Sequence, residues 1–284
     1  MWRRLGSLSA VTMTVTMTTA LTRPVRRRPA WIVAAAMTVA LVALVAIPAR
    51  AQRGAAAGQP PATPRSSAAI DLTGTWTSVV SEDWPQRMLP ARKGNYTRLP
   101  LTPAARKVAD AWDPAKDETA GEACRAYGAP AIMRLPGRIR LSWQDDRALK
   151  MELEAGTQTR LFLFGQASAQ AQAPASSPPP APSWQGRSSA EWVYTAVPPR
   201  TGELKVATTG LRPGYLRKNG VPYSADTRMT EYFHRMTAPN GDLWLTVVTE
   251  VVDPENLRDP FVQSTHFKKL AASAAFTPEA CEVR

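Results

Sequence analysis

The stretch "DLTGTWTSVV", Asp71 to Val80, decides how this chain folds, because it is the first segment in which side chains alternate as a half-buried strand requires. Successive residues of an extended chain point to opposite faces. Leu72, Gly74, Trp76, Ser78 and Val80 therefore share one face, with Asp71, Thr73, Thr75 and Thr77 opposite. Downstream, "RIRLSW" sets Ile139, Leu141 and Trp143 against Arg138, Arg140 and Ser142. After a turn at Asp145-Asp146, "LKMELE" repeats the pattern with Leu149, Met151 and Leu153. "TRLFLF" (159–164) is apolar on both faces. Further strands are expected at 190–197, 203–209, 227–236, 243–252 and 262–269, with Asn240-Gly241 as a hairpin turn between the seventh and eighth. Nine strands with short connections predict a mainly β protein, an antiparallel meander of eight or nine strands with one or two short helices. Closure into a barrel would remove the exposed edges.

One helix interrupts the strands. Thr102 is placed to cap it and Pro103 to take its first position, Ala104, Val108 and Trp112 fall on one face, and Asp113-Pro114 ends it. Two Pro/Ala/Ser-rich tracts, 52–69 and 165–183, have little to bury and read as structureless. The second lies within the strand series, so residues 70–284 are expected to form a single domain.

Residues 1–51 read as a leader. The basic "RPVRRR" (23–28) precedes an uncharged apolar run of 17 residues, Trp31 to Ile47. That run ends in Ala49-Arg50-Ala51, a small-x-small site for cleavage before Gln52. Periplasmic or secreted localisation is expected, with an uncleaved inner-membrane anchor through Trp31 to Ile47 as the alternative, since about 17 residues is the lower limit for a span. Seven of the 35 Lys+Arg lie in the leader, which has no acid, so the chain's net charge of +12 falls to +5 without it. The high isoelectric point therefore does not indicate a nucleic-acid binder. No nucleic-acid partner is expected, membrane contact is expected only through the leader, and the oligomeric state is open. Cys124 and Cys281 are the only cysteines. In an oxidising compartment an even pair reads as a structural disulfide. No C-x-x-C or neighbouring His supports a metal site, and no cofactor is expected.

The Gly74-x-Trp76 strand resembles the first strand of lipocalins and related calycin barrels. The resemblance implies a Trp packed across the closed end beneath a ligand cavity, with a basic residue of the last strand, Lys268 or Lys269, over the indole. In order along the chain, "DLTGTW", "LPLTPAARKVADAWDPAKDE", "MRLPGRIRL", "WQGRSSAEWV", "LKVATTGLRPGYLRKNGVPYSADTRMTEYFHR" and "VVDPENLRDPFVQSTHFKK" are similar to a group of uncharacterised exported bacterial proteins with lipocalin-like barrels.

Chemistry-bearing residues concentrate in two places. "GLRPGYLRKNGVPYS" (210–224) gathers Arg212, Tyr215, Arg217, Lys218, Asn219, Tyr223 and Ser224 on a Gly/Pro-punctuated loop, and binding residues favour loops on a rigid scaffold. On the seventh strand Met229, Glu231, Phe233 and Arg235 share a face. A carboxylate inside an apolar barrel needs a partner, and Arg235 is the nearest in sequence. The preferred expectation is an exported envelope protein that carries an apolar or amphipathic small molecule in its barrel, contacted by Trp76, Tyr215, Arg217, Asn219, Tyr223 and Glu231. The alternatives are an enzyme using Glu231, Arg235 and His266 in one pocket, and a tethered protein-interaction module.

Overall fold

The computed structural model describes residues 62–81, 83–165, 181–196 and 201–283. The leader, its cleavage site, residues 52–61 of the first tract and 166–180 of the second lie outside the described residues. Along the chain come β1 (Gly74–Val79), α1 (Trp84–Arg87), α2 (Pro103–Ala111), α3 (Pro114–Thr119), a 3-10 turn (Ala123–Ala126), α4 (Ala129–Ile132), β2 (Arg138–Trp143) and β3 (Ala148–Leu153). After another 3-10 turn (Ala155–Thr157) follow β4 (Gln158–Phe164), β5 (Arg187–Tyr194), β6 (Gly202–Thr209), β7 (Gly214–Arg217), β8 (Val221–Tyr223), β9 (Arg228–Thr237), β10 (Leu243–Val252) and β11 (Phe261–Lys269).

Nine of these strands close into a barrel in the order β1-β11-β10-β9-β6-β5-β4-β3-β2. The expected strands are all present. The expected all-antiparallel meander is corrected at one point: β4 and β5 run parallel, with Phe162 opposite Ser188 and Phe164 opposite Ala190. Parallel neighbours need a crossover of about a dozen residues or more, where an antiparallel hairpin needs about two. The Pro/Ala/Ser tract supplies that length. A second correction is the Gly210–Ser224 stretch, which is a hairpin, β7 paired with β8, rather than an irregular loop. Its strands are too short to show alternation in sequence. The helical turns are also more numerous than expected. In α2, Thr102 caps the Ala105 N–H at 3.1 Å as predicted, but Ala105 and Ala109 are the buried residues while Val108 is exposed. The small alanines let the helix pack closely with the hairpin residues Val221 and Tyr223.

The opening Gly-x-Trp has a steric cause. Trp76 is wholly buried, its indole N–H donates to Leu72 O at 2.9 Å, and the Lys269 ammonium lies 5.4 Å from the ring centroid. Gly74 has φ 113°, and a Cβ there would sit 2.9 Å from Lys269 Cε. Only glycine accepts both conditions. Lys268 points outward instead and pairs with Asp242 at 2.6 Å.

Both barrel ends are covered. At one end Trp143, Phe164 and Trp192 stack with centroids 5.4–6.5 Å apart. The chain before β1 closes over them: Trp192 Nε1 donates to Pro64 O at 2.8 Å and Arg235 to Asp71 O at 3.1 Å. Residues 62–69, read from sequence as part of a structureless tract, are thus packed on the barrel. The other end carries everything between β1 and β2 together with the β7–β8 hairpin. Between the ends the bore is filled. Trp76, Met151, Phe162, Leu204, Val206, Phe233, Leu245 and Val247 keep no accessible area. Side chains bordering a chamber wide enough for water would keep some.

Cys124 and Cys281 form the expected disulfide across 157 residues of sequence. It straps the irregular C-terminal tail to the barrel, where Glu279 N–H donates to Glu154 O at 2.8 Å and Thr157 Oγ1 to Glu279 O at 2.9 Å. The Cys124→Ser/Cys281→Ser double variant is expected to lose about 2–4 kcal/mol of stability, read as a lowered midpoint in urea unfolding.

Candidate functional site at the hairpin end of the barrel

The carboxylate expected inside the barrel is there, with a different partner. Glu231 on β9 receives two parallel hydrogen bonds from Arg160 on β4, at 3.0 and 2.5 Å, and neither side chain has any exposure. Arg160 also donates to Thr208 Oγ1 at 3.2 Å, and that hydroxyl lies 2.8 Å from Ser188 Oγ. Arg235, the partner expected from sequence, reaches the Asp71 carbonyl at the end of the barrel instead. His266 lies on the outer face of β11, between the inward Thr265 and Phe267. Glu231, Arg235 and His266 therefore do not meet in one pocket. Among the described residues no group of three or more His, Cys, Asp or Glu is arranged to hold a metal.

The hairpin residues divide by neighbour. Tyr215 donates to Asp117 at 2.9 Å, and the same carboxylate accepts Trp112 Nε1 and Arg125 Nη1, each at 2.8 Å. Arg125 also stacks 4.5 Å above the Tyr215 ring. Burial, followed by the Asp117 hydrogen bond, pushes the Tyr215 phenol well above its ordinary pKa. Asn219 is fully buried and donates to Arg92 O (3.2 Å) and Asn95 O (3.0 Å), pinning the segment that precedes α2. Tyr223 packs so tightly on Gly128 that a Cβ at that glycine would lie 2.0 Å from its hydroxyl. Tyr215 and Tyr223 do border a surface cleft of about 610 Å³ with Trp112 and Arg125. Of the six residues expected to contact a ligand, Trp76 and Glu231 are core and Asn219 is a structural staple. Arg217 is the one whose surroundings suit a charged ligand.

Arg217 and Arg134 lie between two clefts, of about 510 and 630 Å³, that share both side chains. The first is also lined by Arg87, Met88, Leu89 and Lys218, the second by Asp83, Arg98 and Ser264. Asp83 organises the cations: Arg134 Nη2 binds it at 3.0 Å and Arg98 Nη1 binds its other oxygen. Arg134 Nη1 donates to Ser264 O at 2.6 Å, and Arg87 Nε to Arg134 O at 3.0 Å. Arg217 Nη1 is buried without a hydrogen-bond partner. Burial is the largest influence on Arg217 and lowers its pKa, the Asp83 charge opposes that, and the Arg134 and Arg98 charges add to it. A guanidinium nonetheless stays protonated at neutral pH. The arrangement presents charged donors, one of them unsatisfied, in partly desolvated surroundings. Such a site favours a carboxylate, sulfonate or phosphate group. Asp83, Arg87, Arg98 and Arg134 were not singled out from sequence. Their signal was the segment from Trp84 to Arg98, which contains four cations and no acid.

No protein-family model, curated protein or solved structure matches this chain, so the chemistry of the site rests on its geometry.

Two predictions test the structural assignments. Glu231→Gln leaves Arg160 buried without its counter-charge and should cost about 3–5 kcal/mol, whereas Arg160→Met/Glu231→Leu should recover most of it, both by urea unfolding. The second concerns Asp253. Burial raises its pKa, but hydrogen bonds from Asn256 and from the backbone and hydroxyl of Ser224 outweigh burial and leave it lowered. A depressed folded pKa stabilises fully above the unfolded value of about 3.9 and is lost as pH falls through the folded value. The wild type should therefore lose stability below about pH 4 more steeply than Asp253→Asn, seen as a flatter acid limb in melting temperature against pH.

Proposed function

We propose that this chain is an exported envelope protein that binds a small amphipathic anion, held in the clefts around Arg134 and Arg217 rather than in the barrel bore. The observation that carries the reading is the buried, unpartnered Nη1 of Arg217 beside Arg134, in clefts that also offer the apolar side chains Met88 and Leu89. A buried donor without a partner is a standing cost of roughly 1–3 kcal/mol, and an anionic ligand would relieve it. Met88 and Leu89 give an alkyl or aryl portion somewhere apolar to lie. The filled bore argues against a ligand there, and the separation of Glu231, Arg235 and His266 argues against the catalytic alternative.

Export is supported by the disulfide, which persists in oxidising compartments. Among the described residues no helix is long and apolar enough to cross a membrane.

Native mass spectrometry of the protein recovered from a periplasm is the direct test. An anionic mass that co-purifies and departs on mild unfolding is expected. Isothermal titration with dodecyl phosphate should show binding that falls by roughly ten-fold or more in Arg217→Met, the loss expected for one charged hydrogen bond. Equal affinity in the two proteins would sink the assignment.

A further inference from the structure

The lip of the first cleft is poorly suited to water. Trp84, Met88 and Leu89 are 58, 55 and 64 % exposed and fall within six residues, on α1 and the turn after it. Single exposed apolar residues are ordinary on a protein surface, but three large ones within one short turn mark a contact site. The geometry of the turn holds them outward. Arg87, between them in sequence, is the residue α1 buries, tied to Arg134 O at 3.0 Å, and this fixes the register of the short helix. Asp83, at the start of the turn, is bound by Arg98 and Arg134. The chain beyond is pinned by Asn219 to Arg92 O and Asn95 O, and Tyr96 and Leu99 are buried. The apolar turn is thus mounted on a fixed base.

Basic side chains follow it in the chain. Arg92, Lys93 and Arg98 are exposed, Lys93 donating to Trp112 O at 2.7 Å and Arg98 to Asp83, and the segment from Trp84 to Arg98 has no acid. We propose that this turn docks the protein on an anionic lipid bilayer, with Trp84, Met88 and Leu89 in the interfacial layer and Arg92, Lys93 and Arg98 against the lipid phosphates. Tryptophan favours the membrane interface, and a basic segment next to a short apolar element is the pattern of reversible attachment to anionic lipid. A second copy of the chain is a poorer occupant, because a two-fold contact through this turn would set the same cations against each other. A folded partner is also poorer, since a stable interface buries at least about 1,000 Å² with shape complementarity and a short turn of three side chains supplies a small part of that. A lipid interface accepts such a turn without a matching groove. Docking would also bring the cleft that Met88 and Leu89 border to the membrane surface, although the docking itself stands on the turn and its cations and not on what fills the cleft.

The test uses residues 52–284 with the disulfide formed, since the closed barrel lies within the unit Gln59–Arg284 and the apolar leader would bind vesicles by itself. A cooperative thermal melt verifies folding of each variant. In vesicle flotation, the wild type should bind phosphatidylglycerol/phosphatidylcholine vesicles at low salt, release at high salt, and bind pure phosphatidylcholine weakly. Trp84→Ser/Met88→Ser/Leu89→Ser should weaken partitioning by roughly ten-fold or more. Arg92→Gln/Lys93→Gln should weaken it by about thirty-fold, at roughly five-fold per charge. Equal binding to both vesicle types, or variants that bind as the wild type does, would overturn the docking. A wild-type dimer abolished by the serine variant, with no vesicle binding, would give the turn to a second copy and overturn it likewise. Vesicle binding removed by Arg217→Met or by soluble dodecyl phosphate, yet untouched in the serine variant, would mean that the cleft captures headgroups. That outcome overturns the docking and leaves the small-anion reading standing.

Discussion

Arg160 and Glu231 meet inside the barrel, toward the end that carries the hairpin, and much of the architecture follows from making their burial tolerable. Removing two charges from water costs several kcal/mol each, recovered only when geometry is excellent and the remaining donors are satisfied. Here the contact is bidentate, and Thr208, itself joined to Ser188, takes a further guanidinium proton, which leaves Arg160 Nε as the one donor nitrogen of the group without a partner. These residues come from β4, β5, β6 and β9, strands that are contiguous in the barrel because β4 and β5 pair in parallel. The one departure from an antiparallel meander therefore brings Arg160 beside the strands that carry its partners. A one-residue slip of any of these strands would turn its polar member to the outside and leave another unpaired.

The ion pair and the apolar side chains on either side of it leave no room in the bore. Phe162 and Phe233 pack with centroids 5.4 Å apart, the Arg160 guanidinium lies 5.0 Å from the Phe162 ring, and Trp76 is wholly buried in the same core. A barrel that is solid offers chemistry only on its outside and at its ends. Among the described residues, the longest stretches outside the barrel strands lie at one end, in the insertion between β1 and β2 and the hairpin between β6 and β9. Arg134 comes from the insertion and Arg217 from the hairpin, so the clefts exist only because the two pack together.

What the sequence made legible divides along physical lines. Alternation and short apolar runs between turn residues are local signals, and together they located all nine barrel strands. The Thr102 cap and the Asp113-Pro114 stop are local too, and they bounded α2. Pairing between distant elements leaves no such trace. Sequence points to Arg235 as the partner of Glu231 because it lies four residues along the same face of one strand, whereas Arg160 reaches Glu231 from elsewhere in the barrel. A signal did exist: Arg160 is in phase with Phe162 and Phe164 on a strand read as apolar on both faces, and a charge in phase with a buried face calls for a partner. The roles of Tyr215 and Asn219 were hidden for a related reason. Whether a polar side chain faces solvent or serves as an internal staple depends on Asp117 and on the carbonyls of Arg92 and Asn95, which are more than ninety residues away in sequence.

The disulfide links the clefts to the redox state of their surroundings. Glu279, Ala280 and Glu282 border the first cleft on the side away from Leu89 in sequence, and they belong to a tail with no regular structure. That tail is held by the Cys281 bond to Cys124, by backbone hydrogen bonds and by side-chain contacts: Arg138 donates to Ala275 O, Thr277 N–H to the Glu154 carboxylate, and the Arg140 guanidinium lies 4.3 Å from the Phe276 ring. Glu282 N–H donates to the hydroxyl of Tyr127, whose ring in turn lies 4.8 Å from the Lys218 ammonium. Backbone hydrogen bonds of an exposed tail are each worth about 1 kcal/mol and open readily without a covalent tie. With the disulfide reduced, the tail would be held by these contacts alone and would open more often, exposing a wall of the cleft that carries two carboxylates. The disulfide thus holds the wall of the first cleft in place, and it persists in the oxidising compartment that the leader reading implies.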